Sequence, residues 1–124
     1  MIFDHVDLRV RDARTVRSFY DALLRPFGFR PKIDPDGNVI YIRIADHKLQ
    51  EAVALISDPT HRPNGTRLAF HADSPQEVDR IAAIALRVGA VAYEAPMWCP
   101  EIGELYYASF FEDPSGNRLE IVSR

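Results

Sequence analysis

Phe111-Glu112-Asp113-Pro114-Ser115-Gly116-Asn117-Arg118-Leu119-Glu120-Ile121 reads as strand, tight turn, strand. Proline presets φ, glycine accepts positive φ, and the flanking Asp and Asn side chains can bond to nearby backbone, so Asp113–Asn117 reverses the chain. The turn joins a strand at Leu105–Glu112 to one at Arg118–Val122. Leu119 and Ile121 share the parity of a core-facing row, so Glu120 between them faces the other way.

Working back from this hairpin, Ser74-Pro75-Gln76-Glu77 is a capping box with proline at the first helical position. Val78, Ile81, Ala82, Ala85 and Val88 make the helix's apolar stripe, and Gly89 ends it. Strands are expected on either side, at Arg67–Ala72 and Ala90–Glu94. The N-terminal half has the same order. Residues 2–10 alternate with period two, Asp4 excepted, which predicts a strand with one apolar and one polar face. Asp12 then caps a helix carrying Val16, Phe19, Tyr20, Leu23, Leu24 and Phe27, stopped by Pro26 and Gly28. Strands follow at Phe29–Ile33, Val39–Ala45 and Gln50–Ser57, with Asp34-Pro35-Asp36-Gly37-Asn38 as the first turn between them.

Residues 58–66 hold two prolines, an Asn-Gly pair and no apolar residue, and form a linker. The pattern is therefore β-α-β-β-β twice, an α+β chain of two tandem βαβββ modules covering 1–57 and 67–124 within a single domain. His5 precedes the helix-ending Gly28 by 23 residues and Arg67 precedes Gly89 by 22, so His5 and Arg67 occupy corresponding strand positions. The two Asp-Pro-x-Gly-Asn turns do not correspond, because they join different strand pairs of their modules.

Composition bounds the function. A chain of 124 residues and 14.1 kDa, 47% hydrophobic and 27% charged, has enough apolar residues for one core and excludes global disorder. A net charge of -3 lacks the bulk electrostatics of a nucleic-acid binder, so no nucleic-acid partner is expected. No window approaches a membrane span, and the N-terminus has an acid where a secretory signal would be basic and then apolar. A cytoplasmic location without membrane association is expected. The single cysteine, Cys99, excludes an intrachain disulfide.

Asp4-His5-Val6, the Phe19-Tyr20 pair, Leu24 to Gly28, Leu68-Ala69-Phe70 and the motif from Phe111 to Ile121 together resemble the vicinal oxygen chelate superfamily. That group includes glyoxalase I, bleomycin-resistance proteins and extradiol dioxygenases. The resemblance spans essentially the whole chain, and the C-terminal motif is its most specific part. It implies that each module curls into half of a cup-shaped sheet, that two copies of the chain pair as a homodimer, and that a small molecule binds in the cup. It further implies a divalent metal (Zn, Ni, Fe or Mn) held by one side chain from the first and last strands of each module, acting as a Lewis acid on two adjacent substrate oxygens.

Carried over by residue, the metal ligands are His5 and Glu120. The last-strand position of module one falls near Leu55, which cannot ligate, and the first-strand position of module two is Arg67, a permanent cation. The metal is therefore expected to be weakly held or absent. Glu120 and Arg67 are the candidate catalytic pair, with Arg67 either bridging to Glu120 in the metal's place or clamping an anionic substrate group. His71 lies two residues along the same face as Arg67. Trp98, in the irregular stretch Pro96–Gly103, and Tyr106 or Tyr107 after it suggest an aromatic wall, so His71, Trp98, Tyr106 and Tyr107 are candidate substrate-binding residues. Two functions follow. One is a lyase, isomerase or dioxygenase with an incomplete metal site. The other is a metal-free protein that binds and sequesters a small molecule of antibiotic type.

Overall fold

Each half of the chain must bury one apolar helix stripe against one apolar sheet face, and the crossover helix makes the first strand pair in parallel with the last. A computed structural model describes residues 2–124. The first half contains β1 (His5–Val10), α1 (Ala13–Leu24), β2 (Phe29–Ile33), β3 (Val39–Ala45) and β4 (Lys48–Ser57). The second contains β5 (Arg67–His71), α2 (Pro75–Arg87), β6 (Val91–Trp98), β7 (Tyr107–Glu112) and β8 (Arg118–Ser123). The sheets are ordered β1-β4-β3-β2 and β5-β8-β7-β6, so the α+β architecture of two βαβββ modules is the observed one. The two halves are separate compact units that meet in sequence at His61 and Arg62, inside the expected linker.

In the first unit, Asp12 caps α1 by accepting the Arg14 N–H, and the buried stripe is Ala13, Val16, Phe19, Tyr20, Leu23 and Leu24. Phe27, expected as the last residue of that stripe, lies instead in a 3-10 turn at Arg25–Phe27, closed by Gly28 in a left-handed conformation. Tyr41 on β3 donates its hydroxyl to the Asp21 carboxylate on α1 at 2.8 Å. This places Val39 and Tyr41, with their β4 partners Leu55 and Val53, on the helix side. In the second unit Ser74 accepts the Glu77 N–H at the start of α2, and Val78, Ile81, Ala82 and Ala85 are its buried stripe. Tyr107 on β7 donates to Asp79 on α2 at 2.6 Å, so Tyr107, Ser109 and Phe111 face the helix, with Ile121 and Leu119 opposite the last two.

The ladders refine two expectations. In β5–β8, Arg67 pairs with Arg118 and Ala69 with Glu120. In β1–β4, His5 pairs with Ala52 and Asp7 with Ala54. The position of module one that matches Glu120 is thus Ala54, not Leu55. Leu55 lies on the other face, fully buried under α1, and a one-residue offset in a strand always switches faces. The second refinement concerns β6, which continues through Pro96, Met97 and Trp98 with an irregular register against β7, where an unstructured connection was expected. Only the segment after it loops, closed by the Cys99 N–H donating to the Tyr106 carbonyl at 2.8 Å.

The two Asp-Pro-x-Gly-Asn turns adopt one structure at two non-equivalent sites. Asp34 accepts from the backbone of Asp36 and Asn38 and from the Asn38 amide. Asp113 accepts in the same way from Ser115, Asn117 and the Asn117 amide. Gly116 holds φ at 88°, and a Cβ there would stand 2.9 Å from Pro63, so only glycine fits. The turns differ in burial, since Asp113 has no exposure while Asp34 is partly exposed. Stranding buried donors costs more than stranding wet ones. Asp113→Ala should therefore lose about 3 kcal/mol and Asp34→Ala about 1 kcal/mol. Urea denaturation of both variants measures the gap, and equal losses would mean that burial does not set it.

Candidate functional site

Glu120 projects from β8 on the face turned away from α2, opposite Phe110 of β7 and Ala69 of β5. It is only 5% exposed, which is unusual for a carboxylate. The Tyr106 hydroxyl compensates by donating a hydrogen bond to Glu120 Oε1. Tyr106 itself packs into a cluster with Cys99, Ala108 and Val122, against which Phe110 rests. Burial first, and the bond to Glu120 second, push the Tyr106 hydroxyl up to about 12. The phenol therefore stays protonated at neutral pH, as donor to a carboxylate acceptor. The Arg124 guanidinium lies 5.7 Å from the Tyr106 ring centre.

Arg67 reaches across the strand that carries Glu120. It starts on β5, passes over β8, and sets its guanidinium carbon 4.8 Å above the Phe110 ring of β7. The expected bridge between Arg67 and Glu120 is not formed: among the described residues neither is in an ion pair, because the arginine is held on the ring and the carboxylate by the phenol. A stacked guanidinium keeps its N–H edge free for an in-plane acceptor. His71 shares this face, opposite Val122, and is exposed. The structure thus brings Glu120, Tyr106, Arg67 and His71 onto one sheet face.

Trp98 and Tyr107 lie elsewhere. They are cross-strand partners with ring centres 4.8 Å apart, on the face that carries α2. They form no common wall with Glu120. Parity alone assigns the two tyrosines to opposite faces, and the Asp79 bond settles which is which. Phe110 went unrecognised in the sequence. It has the parity of Glu120's partner, but only the β7–β8 register reveals the pairing.

His5 belongs to the first unit. Its Nδ1 is 2.8 Å from Asp4 Oδ1 and its Nε2 is 3.9 Å from Asp7 Oδ1. The bond to Asp4, followed by the charge of Asp7, raises its pKa. A metal-bound imidazole must give up that proton. The four positions implied for a metal are now His5, Ala54, Arg67 and Glu120. An alanine has no donor atom and an arginine no lone pair, and His5 is biased toward its protonated form by Asp4 and Asp7. Among the described residues no three His, Cys, Asp or Glu side chains are grouped to hold a metal ion. These residues do not fit the divalent ion that the resemblance implies.

The Tyr106 phenol has a consequence at high pH. Its folded-state pKa of about 12 lies above the ordinary unfolded value near 10. The native state then holds a proton that the unfolded chain releases. This stabilisation is complete below about pH 10 and is lost as pH rises toward 12. Tyr106→Phe should flatten the fall in stability across that window and remove one late step from the phenolate absorbance titration. A wild-type titration in which every accessible tyrosine ionises near pH 10 would contradict the assigned bond.

Comparison with known proteins agrees with the fold and the C-terminal motif. The sequence profile of the Glyoxalase/Bleomycin resistance protein/Dioxygenase superfamily matches residues 2–121. No curated protein matches the chain. Among solved structures, a glyoxalase/bleomycin resistance protein from Albidiferax ferrireducens is 26% identical, with a TM-score of 0.79, covering 100% of this chain and 99% of that one. Lactoylglutathione lyase from Agrobacterium tumefaciens shares the fold at 20% identity and a TM-score of 0.65, over 98% of this chain and 92% of that one. The fosfomycin resistance protein FosX from Mesorhizobium loti does so at 16% and 0.70, over 100% and 94%. With the profile covering nearly its whole length, the chain belongs to the Glyoxalase/Bleomycin resistance protein/Dioxygenase superfamily.

Proposed function

We propose that this protein binds a small oxygenated molecule on the Glu120 face and acts on it by proton transfer, as an isomerase or lyase in which a fixed guanidinium stands in for a metal. The observation that supports this most is the pairing of a buried carboxylate with an open cation on one sheet face. Glu120 is the base. It accepts a proton from the carbon next to a substrate carbonyl; the electron pair of that C–H bond forms the new carbon–carbon double bond, and the carbonyl π pair moves onto the oxygen. Arg67 supplies N–H donors to the oxyanion that forms. Tyr106 is a positioning residue, because its hydroxyl fixes one oxygen of Glu120 and leaves the other for substrate. The proton then returns to the same or a neighbouring atom, or a β-substituent departs.

A second reading is a protein that holds its ligand without changing it. The poor fit of the residues to the family's metal supports that reading, since it removes the Lewis acid on which the metal-dependent chemistry relies. In either case the partner is a small molecule, and a homodimer remains the proposed assembly.

Proton transfer leaves a label. Incubated in D2O with a panel of small 2-hydroxy aldehydes and ketones, the protein should exchange the proton next to the carbonyl of its substrate, followed by NMR. Glu120→Gln should slow that exchange by about 100-fold or more, the usual contribution of a positioned base. Binding detected by calorimetry with no exchange in any compound would favour the sequestering protein. Added zinc or nickel should change neither result, and a metal-dependent exchange rate would overturn the metal-free mechanism.

A further inference from the structure

Once Tyr106 occupies Oε1 of Glu120, the other carboxylate oxygen has no protein donor among the described residues. It is not fully enclosed either: among the described residues the one fully enclosed side-chain polar atom that makes no hydrogen bond is the Arg17 Nε of the other unit, which is ion-paired with Asp21. A nearly buried carboxylate oxygen that lacks a protein donor is an acceptor site for a ligand O–H or N–H. Arg67 presents the complementary need. It carries a permanent charge, makes no ion pair among the described residues, and its head is parked over Phe110, the register partner of Glu120. The stack satisfies the flat faces of the guanidinium and leaves its edge, which matches the two oxygens of a carboxylate. Ala69, on the β5 side of Glu120 and across it from Phe110, is small and exposed.

We infer that the ligand of this face is a small 2-substituted carboxylic acid, with its carboxylate on the edge of Arg67 and its 2-hydroxyl or 2-amino group donating to Glu120. This inference rests on the second reading, in which the Glu120 face holds its ligand unchanged, and adds the chemical class, since the free Glu120 oxygen is then taken by the 2-hydroxyl or 2-amino donor and not by a C–H proton. The two recognition groups of such an acid sit on adjacent carbons. Arg67 and Glu120 are likewise close neighbours, the guanidinium lying over Phe110, the register partner of Glu120. The remainder of the ligand lies over Ala69 and Val122, so an apolar substituent is accommodated there.

Calorimetry with four matched probes separates the parts. They are 3-phenyllactate, phenylalanine, 3-phenylpropanoate and 3-phenyllactamide. 3-Phenyllactate or phenylalanine should bind at least about tenfold more tightly than 3-phenylpropanoate, which lacks the donor, and than the amide, which lacks the charge, since each missing contact is a charged hydrogen bond. Which of the two binds more tightly identifies hydroxyl or amine as the donor. Arg67→Ala, a change at an exposed position that leaves the core intact, should abolish the preference for acid over amide and keep the preference for donor over no donor. Glu120→Gln should do the reverse. If 3-phenyllactamide binds as tightly as the acids and its binding is lost in Glu120→Gln, the acid class is overturned while the Glu120 face survives as a site. If a probe binds and neither variant changes its affinity, or if no probe binds, the inference is overturned. Only the unchanged affinity in both variants also removes the face itself.

Discussion

The parallel pairing of the first strand of each module with its last is the constraint from which everything else follows. A helix must intervene, so one sheet face is consumed by packing and the other is left for function. In the second unit that division sends Leu119 and Ile121 under α2 and turns Glu120 to the free face. In the first unit the same rule buries Leu55 and leaves Ala54 beside the row that begins at His5. Register, more than composition, decides which side chains can meet.

The burial of Glu120 makes sense only together with Tyr106. A carboxylate held at 5% exposure pays a desolvation cost of several kcal/mol unless it is bonded. The phenol supplies one bond and stays protonated because its own burial disfavours the phenolate. The pair is thus mutually stabilising over the whole neutral range. Its cost is that one oxygen remains unfilled on the free face, a common state for a group that meets a ligand.

Much of this was legible in the sequence for a specific reason. Period-two alternation in β1, the Asp12 and Ser74 caps, and the glycines after each helix are local signals, and each marks an element that the structure contains. The facing of Glu120 followed from the parity of Leu119 and Ile121. What failed was non-local. The equivalence of Ala54 with Glu120 depends on how β1 aligns with β4 across more than 40 intervening residues, and no local pattern encodes that offset. The extension of β6 to Trp98 was hidden because Pro96 argues against a central strand, while β6 is an edge strand, where a missing N–H costs little. Arg67 was assigned its strand position correctly, and of the two roles considered for its side chain, a bridge to Glu120 or a clamp on an anionic group, the bridge is not formed. The arginine is long enough to pass over β8 to a ring, and sequence spacing cannot weigh a ring against a carboxylate.

Replacing a metal ion by a guanidinium changes what a site can be. A divalent ion takes ligands from several directions, is lost to chelators, and competes with protons for its histidine. A guanidinium is planar and single-charged, offers donors only along its edge, and stays charged at any pH the fold survives. The two are also mutually exclusive at close range. A unit positive charge about 4 Å from another costs roughly 4 kcal/mol at an effective dielectric of 20, near three decades in affinity, and a divalent ion would suffer more. An arginine facing such a site therefore does more than delete a ligand, because its charge opposes that of the ion. Phe110 strengthens that exclusion by fixing the charge above the partner of Glu120 instead of letting it swing into solvent. On the proposed reading, Ala54 and Arg67 together take two ligands from the implied metal, and Arg67 offers in exchange N–H donors of fixed direction.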